Sequence, residues 1–244
     1  MFWRKPKKYK IGVLYICTGK YDIYWEQFYA SSEKNFCPQD EKHYFVFTDS
    51  QKIKAGENVT LIHQERLGWP DDTLMRFHMF VRAQDLMQDC DYLFFFNANM
   101  HFAHKIRRKD ILPTASEQLV AVIHPYYYDS PIGAPFESNK ESLAFVAAGQ
   151  ARHYVQGCVN GGLSKAYLAM AQTLANHIDQ DKGKGIVAIW HDESHLNAYL
   201  VQHPNYKALH AGFAKPEGRV GFPFKEKIIN LNKNNQGGLD YFRN

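Results

Sequence analysis

The run Asp91-Tyr-Leu-Phe-Phe-Phe96 constrains this chain more than any other segment. Five large apolar side chains in succession leave no face for water, the pattern of a strand in a sheet covered on both sides. Residues 11–17 and Leu119–Ile123 are further apolar runs of strand length. Residues 44–47, closed by Thr48-Asp49-Ser50, and Val59–His63 add two more strands. Helical spacing appears between them. Trp25, Phe28, Tyr29 and Phe36 mark a helix over 25–36 that Pro38 ends. The turn Gly68-Trp-Pro-Asp-Asp72 supplies aspartates to cap a helix from Thr73 to about Gln88, which would bury Met75, Met79 and Leu86. Helices are also expected over 163–178 and 192–202, the last with Asp192 or Ser194 as its cap.

Strands alternating with helices imply an α/β chain, a single domain with a mainly parallel central sheet flanked by helices. Its 244 residues suffice for one large domain. Residues 1–10 are set apart as a basic N-terminal segment and 11–244 form the domain. Residues 124–150 lose periodicity and are rich in Tyr, Pro, Ser and Gly, and so long a loop in a compact domain is usually functional. The tail from Gly212 is loop-like, with one strand at 227–231.

Composition excludes several classes. Net charge is only +4, and much of it lies in Arg4, Lys5, Lys7, Lys8 and Lys10 around Phe2 and Trp3. This start reads as a solvated terminus, with weak peripheral contact to an anionic membrane as the alternative. Nucleic-acid binding needs a larger basic footprint. The basic start followed by 11–17 imitates a signal peptide but lacks a small-residue cleavage site. No apolar stretch reaches the ~18–20 residues of a membrane span. Cys17, Cys37, Cys90 and Cys158 are scattered, as free thiols in a reducing compartment would be. A cytoplasmic enzyme, at most touching the inner face of the membrane, is expected. Aromatic residues make up 15% of the chain, which serves either a bulky core or a cleft that stacks on sugar rings.

Ligands of open α/β sheets bind beyond the carboxyl ends of strands. The first strand runs into Ile16-Cys-Thr-Gly-Lys-Tyr21, and the strand at 91–96 into Asn97-Ala98-Asn99. Neutral amides are poor ligands for hard cations but can donate to hydroxyl or phosphate oxygens, and the segment can equally be a plain turn. In Trp190-His-Asp-Glu-Ser-His195 two histidines stand four apart, yet the residue after the first is Asp192 rather than the Glu of zinc proteases. The block reads as a capped helix start whose Glu193 could act at an anomeric carbon, with Asp192 fixing donor hydroxyls. Three glycines in Gln156-Gly-Cys-Val-Asn-Gly-Gly162 fit a strand-to-helix turn or a close backbone approach to a ligand. Lys225, Lys227, Lys233 and Arg243 are either a solvated face or positive charge for a diphosphate leaving group.

Taken with Tyr44-x-Val-Phe-Thr-Asp49, Trp69-Pro-Asp-x-Thr-Leu-x-Arg76, His124-Pro125 and Trp190-His-Asp-Glu-Ser-His-Leu-Asn197, these segments resemble glycosyltransferase family 6 from about Ile11 to Lys233. The resemblance implies a GT-A fold and retaining α-1,3 transfer of galactose or N-acetylgalactosamine from UDP-Gal or UDP-GalNAc to a galactose-terminated glycan, fucosylated by analogy. It implies that Ile16, Cys17, Thr18 and Tyr21 line the uridine and that Arg76 lies on the donor side. Asn97, Ala98 and Asn99 stand where other members carry metal-binding aspartates, so neither a metal nor another cofactor is expected. Gln156, Gly157 and Cys158 occupy the donor-specificity segment, where Cys158 is bulkier than the family's glycine or alanine and favours galactose. Glu193 is the catalytic glutamate, also facing the acceptor, and Asp192 and Lys233 bind the donor. His124, Trp190 and Glu217 belong to the acceptor side. The acceptor loop departs from the family as Ala134-Pro-Phe-Glu-Ser-Asn139. A sugar-binding protein that has lost catalysis is the rival reading, and intact Glu193 argues against it.

Overall fold

The computed structural model describes residues 7–243; the remainder of the basic N-terminal segment, with the membrane contact expected of it, lies outside them. Strands β1 (Lys10–Ile16), β2 (Glu41–Thr48), β3 (Val59–His63), β4 (Tyr92–Phe96), β6 (Leu119–Ile123), β7 (Val155–Leu163) and β8 (Lys207–Leu209) form a seven-stranded sheet in the order β3-β2-β1-β4-β7-β6-β8. Within it β7 runs against its neighbours β4 and β6, and the other pairs are parallel. This is the mainly parallel, helix-flanked layout of a GT-A domain.

Strand β4 explains itself in this setting. Tyr92, Phe94 and Phe96 point into one core layer with Phe28 of helix α1 (Trp25–Asn35) and Phe36 just after it. Leu93 and Phe95 point into the other, with Phe77 and Phe80 of α3 (Arg76–Arg82) and Tyr167 and Leu174 of α5 (Ser164–Gly183). The four cysteines are free and buried. Among the described residues no helix is long and apolar enough to cross a membrane.

Three expectations change. The helix over 73–88 is broken into α2 (Asp71–Leu74), α3 and a 3-10 turn at Gln84–Met87. Asp72 does not cap it: its Oδ1 accepts from the amides of Leu67 and Gly68 at 2.8 and 3.1 Å, closing the turn behind it. Leu86 is 56% exposed, because its turn has left the helical register that would have buried it. Second, 156–162 is not a turn but most of strand β7, which neither alternation nor β-branching announced. Its glycines serve packing: a Cβ on Gly161 would lie 2.4 Å from Phe94 and 2.5 Å from the carbonyl oxygen of Leu93. Third, the tail is more ordered than expected. β10 (Ile228–Asn230) pairs with β5 (Met100–Phe102) and β9 (Lys215–Pro216) in a small second sheet. That pairing returns the tail across the end of β4, beside Asn97-Ala98-Asn99. Short helices α4 (Arg108–Ile111) and α7 (Gly238–Arg243) complete the frame with α6 (His191–Gln202). Residues 124–150 hold no helix or strand beyond a single bridge between Glu137 and Phe145.

Gly161→Ala should therefore destabilise the protein by about 1–3 kcal/mol, the usual cost of overpacking. Thermal unfolding should show a midpoint lowered by several degrees, and an unchanged midpoint would contradict the close packing of β4 on β7.

Candidate active site

The carboxyl ends of β1 and β4 open into one cleft. Ile16, Thr18, Tyr21, Arg76, Asn97, Ala98, Asn99 and Lys233 all line it. Arg66, Trp69, Asp72 and Thr73 close one side, and Leu239 and Phe242 of α7 another. Phe242 stacks on Tyr21 with centroids 4.5 Å apart, and Lys233 Nζ donates to Tyr21 Oη at 3.0 Å, so the tail forms a wall of the cleft. The α7 residues carry no periodic or motif signal, and sequence reasoning missed them.

Arg76 organises the floor. Its guanidinium, almost fully buried, lies 4.1 Å over the Phe95 ring and 2.9 Å from Asp192 Oδ2. Nη1 donates to Gly157 O at 2.7 Å, and Nη2 makes a long contact of 3.5 Å with Asn97 Oδ1. Asn97 N in turn donates to Cys158 O at 3.0 Å. One side chain thus joins α3, β4, β7 and α6.

Glu193 sits beside this hub on the first turn of α6. Tyr154 Oη donates to Oε1 at 2.8 Å and Gly157 N to Oε2 at 2.7 Å. A Cβ on Gly157 would come within 3.4 Å of both Arg76 Nη1 and Glu193 Cβ, so glycine lets strand and helix meet here. Asn197, one turn further along α6, fixes the register: it accepts from Val155 N and donates to Val155 O and Glu193 O, each at 2.9 Å. Burial raises the Glu193 carboxyl to about 7 against the lowering effect of its two donors. Burial likewise raises Asp192, to about 6, with Arg76 opposing. No side-chain cap closes the start of α6; Ser194 Oγ instead accepts from Trp190 N at 3.0 Å.

The two histidines of this block part company. His191 packs edge-on against Trp69 at 4.6 Å, while His195 is buried 3.8 Å from Asp181. Among the described residues no group of three His, Cys, Asp or Glu is placed to hold a metal. The end of β4 suits amides rather than a hard cation. Asn99 is 3% exposed and its Nδ2 donates to Asn230 Oδ1 at 2.6 Å and Leu231 O at 2.7 Å. A carboxylate there would meet two oxygens with no proton between them. Asn97 presents its oxygen to the Arg76 guanidinium, which repels a second cation. These residues therefore do not fit the divalent ion of other GT-A enzymes.

Other expected residues fall around the cleft. The Cys17 and Cys158 thiols are buried in the core, and burial pushes Cys17 up to about 12. Cys158 Sγ donates to Gln156 Oε1 at 3.1 Å, tying two residues of β7 together. His124 is stacked among Tyr126, Tyr127 and Tyr154, and burial lowers it to about 4. Since Tyr154 also holds Glu193, His124 lies one ring away from that carboxylate. Trp190 is 47% exposed at the start of α6. Glu217 anchors the tail, accepting from Asn232 N at 2.7 Å and Asn235 Nδ2 at 3.1 Å on either side of Lys233. Lys227 is drawn off to Lys105 O and Asp110, and the Arg243 side chain lies outside the described residues.

Comparison with known proteins agrees with this geometry. The model of the family described as glycosyltransferase family 6 matches residues 2–236. The O-antigen biosynthesis glycosyltransferase WbnI of Escherichia coli is 36% identical over 192 residues, covering 78% of this chain and 81% of its own. The globoside alpha-1,3-N-acetylgalactosaminyltransferase 1 of Gallus gallus is 30% identical over 217 residues, 84% of this chain and 61% of its own. The histo-blood group ABO system transferase 2 of Rattus norvegicus is 26% identical over 239 residues, 93% of this chain and 70% of its own. The chain thus spans about three fifths of the length of the globoside enzyme. A family match over nearly the whole length, on a sheet whose strand ends gather the family's motifs into one cleft, means that this chain belongs to glycosyltransferase family 6 and is a hexosyltransferase.

Proposed function

We propose that the chain transfers galactose from UDP-Gal, with retention and without a metal ion, in α-1,3 linkage to a galactoside. The observation that carries this is the Glu193 carboxylate, held between Tyr154 Oη and Gly157 N beside the Arg76–Asp192 pair, whose arginine lines the cleft. The bond between the sugar's anomeric carbon and the β-phosphate oxygen breaks, and UDP leaves with the bonding pair. Glu193 stabilises the cationic carbon, and the acceptor hydroxyl bonds to the face that UDP leaves while its proton passes to the departing β-phosphate oxygen; where Glu193 captures the carbon first, the acceptor displaces that carboxylate. Lys233 and the Asn97 amide offset the charge on the departing diphosphate. The α-1,3 linkage is supported by the similarity to the globoside alpha-1,3-N-acetylgalactosaminyltransferase. Free thiols and the absence of a membrane-spanning helix among the described residues fit a cytoplasmic enzyme.

A second reading, UDP-GalNAc as donor, draws on one observation: the Cys158 thiol is 2% exposed and so leaves volume in the cleft. Side-by-side kinetics with both donors decide between them. Wild type should prefer UDP-Gal by roughly ten- to two-hundred-fold, the range one extra packed group supplies, and Cys158→Gly should relax the preference. A wild-type preference for UDP-GalNAc would overturn the galactose assignment.

Glu193→Gln keeps the shape and removes the charge, so kcat should fall at least ~10²-fold while donor affinity changes far less. Wild-type activity should decline as pH falls through about 7, where Glu193 takes up its proton. Stability runs the other way. A carboxyl raised from 4.5 to about 7 binds more protons folded than unfolded across that window, so its contribution is present below 4.5 and lost as pH rises. Glu193→Gln should thus unfold at a higher temperature than wild type at pH 8. A variant with near-normal turnover would move the catalytic role to Asp192.

Transfer should proceed at full rate in excess EDTA, because the amides at the end of β4 do not suit a cation. Strict dependence on added Mn²⁺ would refute the metal-free reading.

A further inference from the structure

The tail carries a guanidinium that the reaction above does not use. Arg219 lies between two rings, 4.4 Å over Tyr126 and 5.1 Å over Phe222, and its Nη1 donates to Pro125 O at 2.8 Å. Among the described residues it forms no ion pair. Stacking fixes the plane of the group, and one carbonyl uses one of its five N–H donors. The rest of the fork is oriented and without a counter-charge. Tyr126 is 66% exposed and Arg219 half-buried, so a solute can reach both.

The place of this fork gives it a meaning. From Glu193 the path runs to Tyr154 through a 2.8 Å hydrogen bond, then to His124 with centroids 5.5 Å apart, then to Tyr126 at 5.7 Å. The positive charge of Arg219 reaches back along it and adds to the burial that lowers His124. If the reacting galactose occupies the end near Glu193 and His124, the next unit of the acceptor meets Tyr126 and Arg219. An exposed ring suits the C–H face of a sugar. A stacked guanidinium with free parallel N–H groups suits a planar or tetrahedral anion, which it grips through two hydrogen bonds at once.

We propose that Arg219, framed by Tyr126 and Phe222, binds an anionic group, a carboxylate or a phosphate, that the acceptor carries one unit beyond its reacting galactose. The proposal rests on the acceptor assignment made above.

The test compares three acceptors that share a terminal galactose: a neutral benzyl disaccharide, the same disaccharide as a reducing-end phosphate diester, and galactosyl glucuronate. UDP release without acceptor is measured alongside. For wild type, kcat/KM for one or both anionic acceptors should exceed the neutral one by about 10- to 100-fold, as one charge-assisted contact supplies. The advantage should shrink with salt. The phosphate arm rising alone identifies a phosphate-linked acceptor, and the glucuronate arm rising alone an acidic glycan. In Arg219→Gln the ratio should collapse toward one, and in Arg219→Lys it should partly survive. Equal use of all three acceptors by wild type overturns the inference and leaves the transferase reading intact. No UDP release from any UDP-sugar, with or without acceptor, overturns both.

Discussion

The site depends on a buried positive charge. Removing a guanidinium from water costs several kcal/mol unless its surroundings replace the lost solvation. Around Arg76 they do so with a carboxylate, a backbone carbonyl, an amide oxygen and an aromatic face, drawn from three separate parts of the chain. Satisfying one residue therefore fixes the relative positions of α3, β4, β7 and α6. The same charge separates two adjacent carboxylates. Asp192 meets the guanidinium directly, whereas Glu193 faces neutral donors and rises higher, to about 7. Neighbours in sequence thus receive different chemistry, one as a charge partner and one as a group near its titration point at neutral pH.

Amide chemistry at the end of β4 carries a second constraint. Asn99 spends both N–H donors on the tail and its carbonyl accepts from Leu231 N at 2.8 Å. Tyr15 Oη holds the carbonyl of Ala98 at 3.1 Å. In this chain the position that could have held a cation holds the C-terminal tail instead. That is how Lys233 and Phe242 arrive at the cleft: the asparagine is a structural clamp whose position brings a cation of the protein's own.

Much of this was legible in the sequence, and the remainder has identifiable reasons. β1, β2, β4 and β6 could be read because strands buried on both faces advertise themselves as apolar runs. β7 could not, since its packing against Phe94 demands glycine, the residue that normally argues for a turn. The helix after Pro70 showed apolar spacing but not its breaks, which no local residue marks. For the site, the motif residues of β1, α3, β4 and α6 were foreseeable because strand ends and helix starts converge in an open sheet. Tyr154, which holds the Glu193 carboxylate, was not singled out: its partner is thirty-nine positions away and no local pattern records such a contact. Cys17 is a different case: its neighbours Ile16 and Thr18 line the cleft, while its own side chain turns into the core.

The aperiodic loop of 124–150 raises the question of how a segment without secondary structure holds a defined shape. It is held by buried carboxylates rather than by a ladder. Asp181 at the end of α5 accepts from Ser142 Oγ at 2.6 Å and from Leu143 N at 3.0 Å. Glu137, from the loop, accepts from Ile189 N at 2.7 Å, next to Trp190, and from Asn139 N at 2.8 Å. Hydrogen bonds from backbone amides to ionised acceptors are among the stronger ones in proteins, and breaking one leaves a charge buried and unpaired. The loop is therefore tied to α5 and to the lead into α6, beside His124 and Trp190. Preorganisation of this kind lowers the ordering cost of binding a flexible glycan. Glu137, whose backbone bridges Phe145 and whose carboxylate accepts from Ile189 ahead of α6, is set in the middle of Ala134-Pro-Phe-Glu-Ser-Asn139 and anchors that stretch through both its backbone and its side chain.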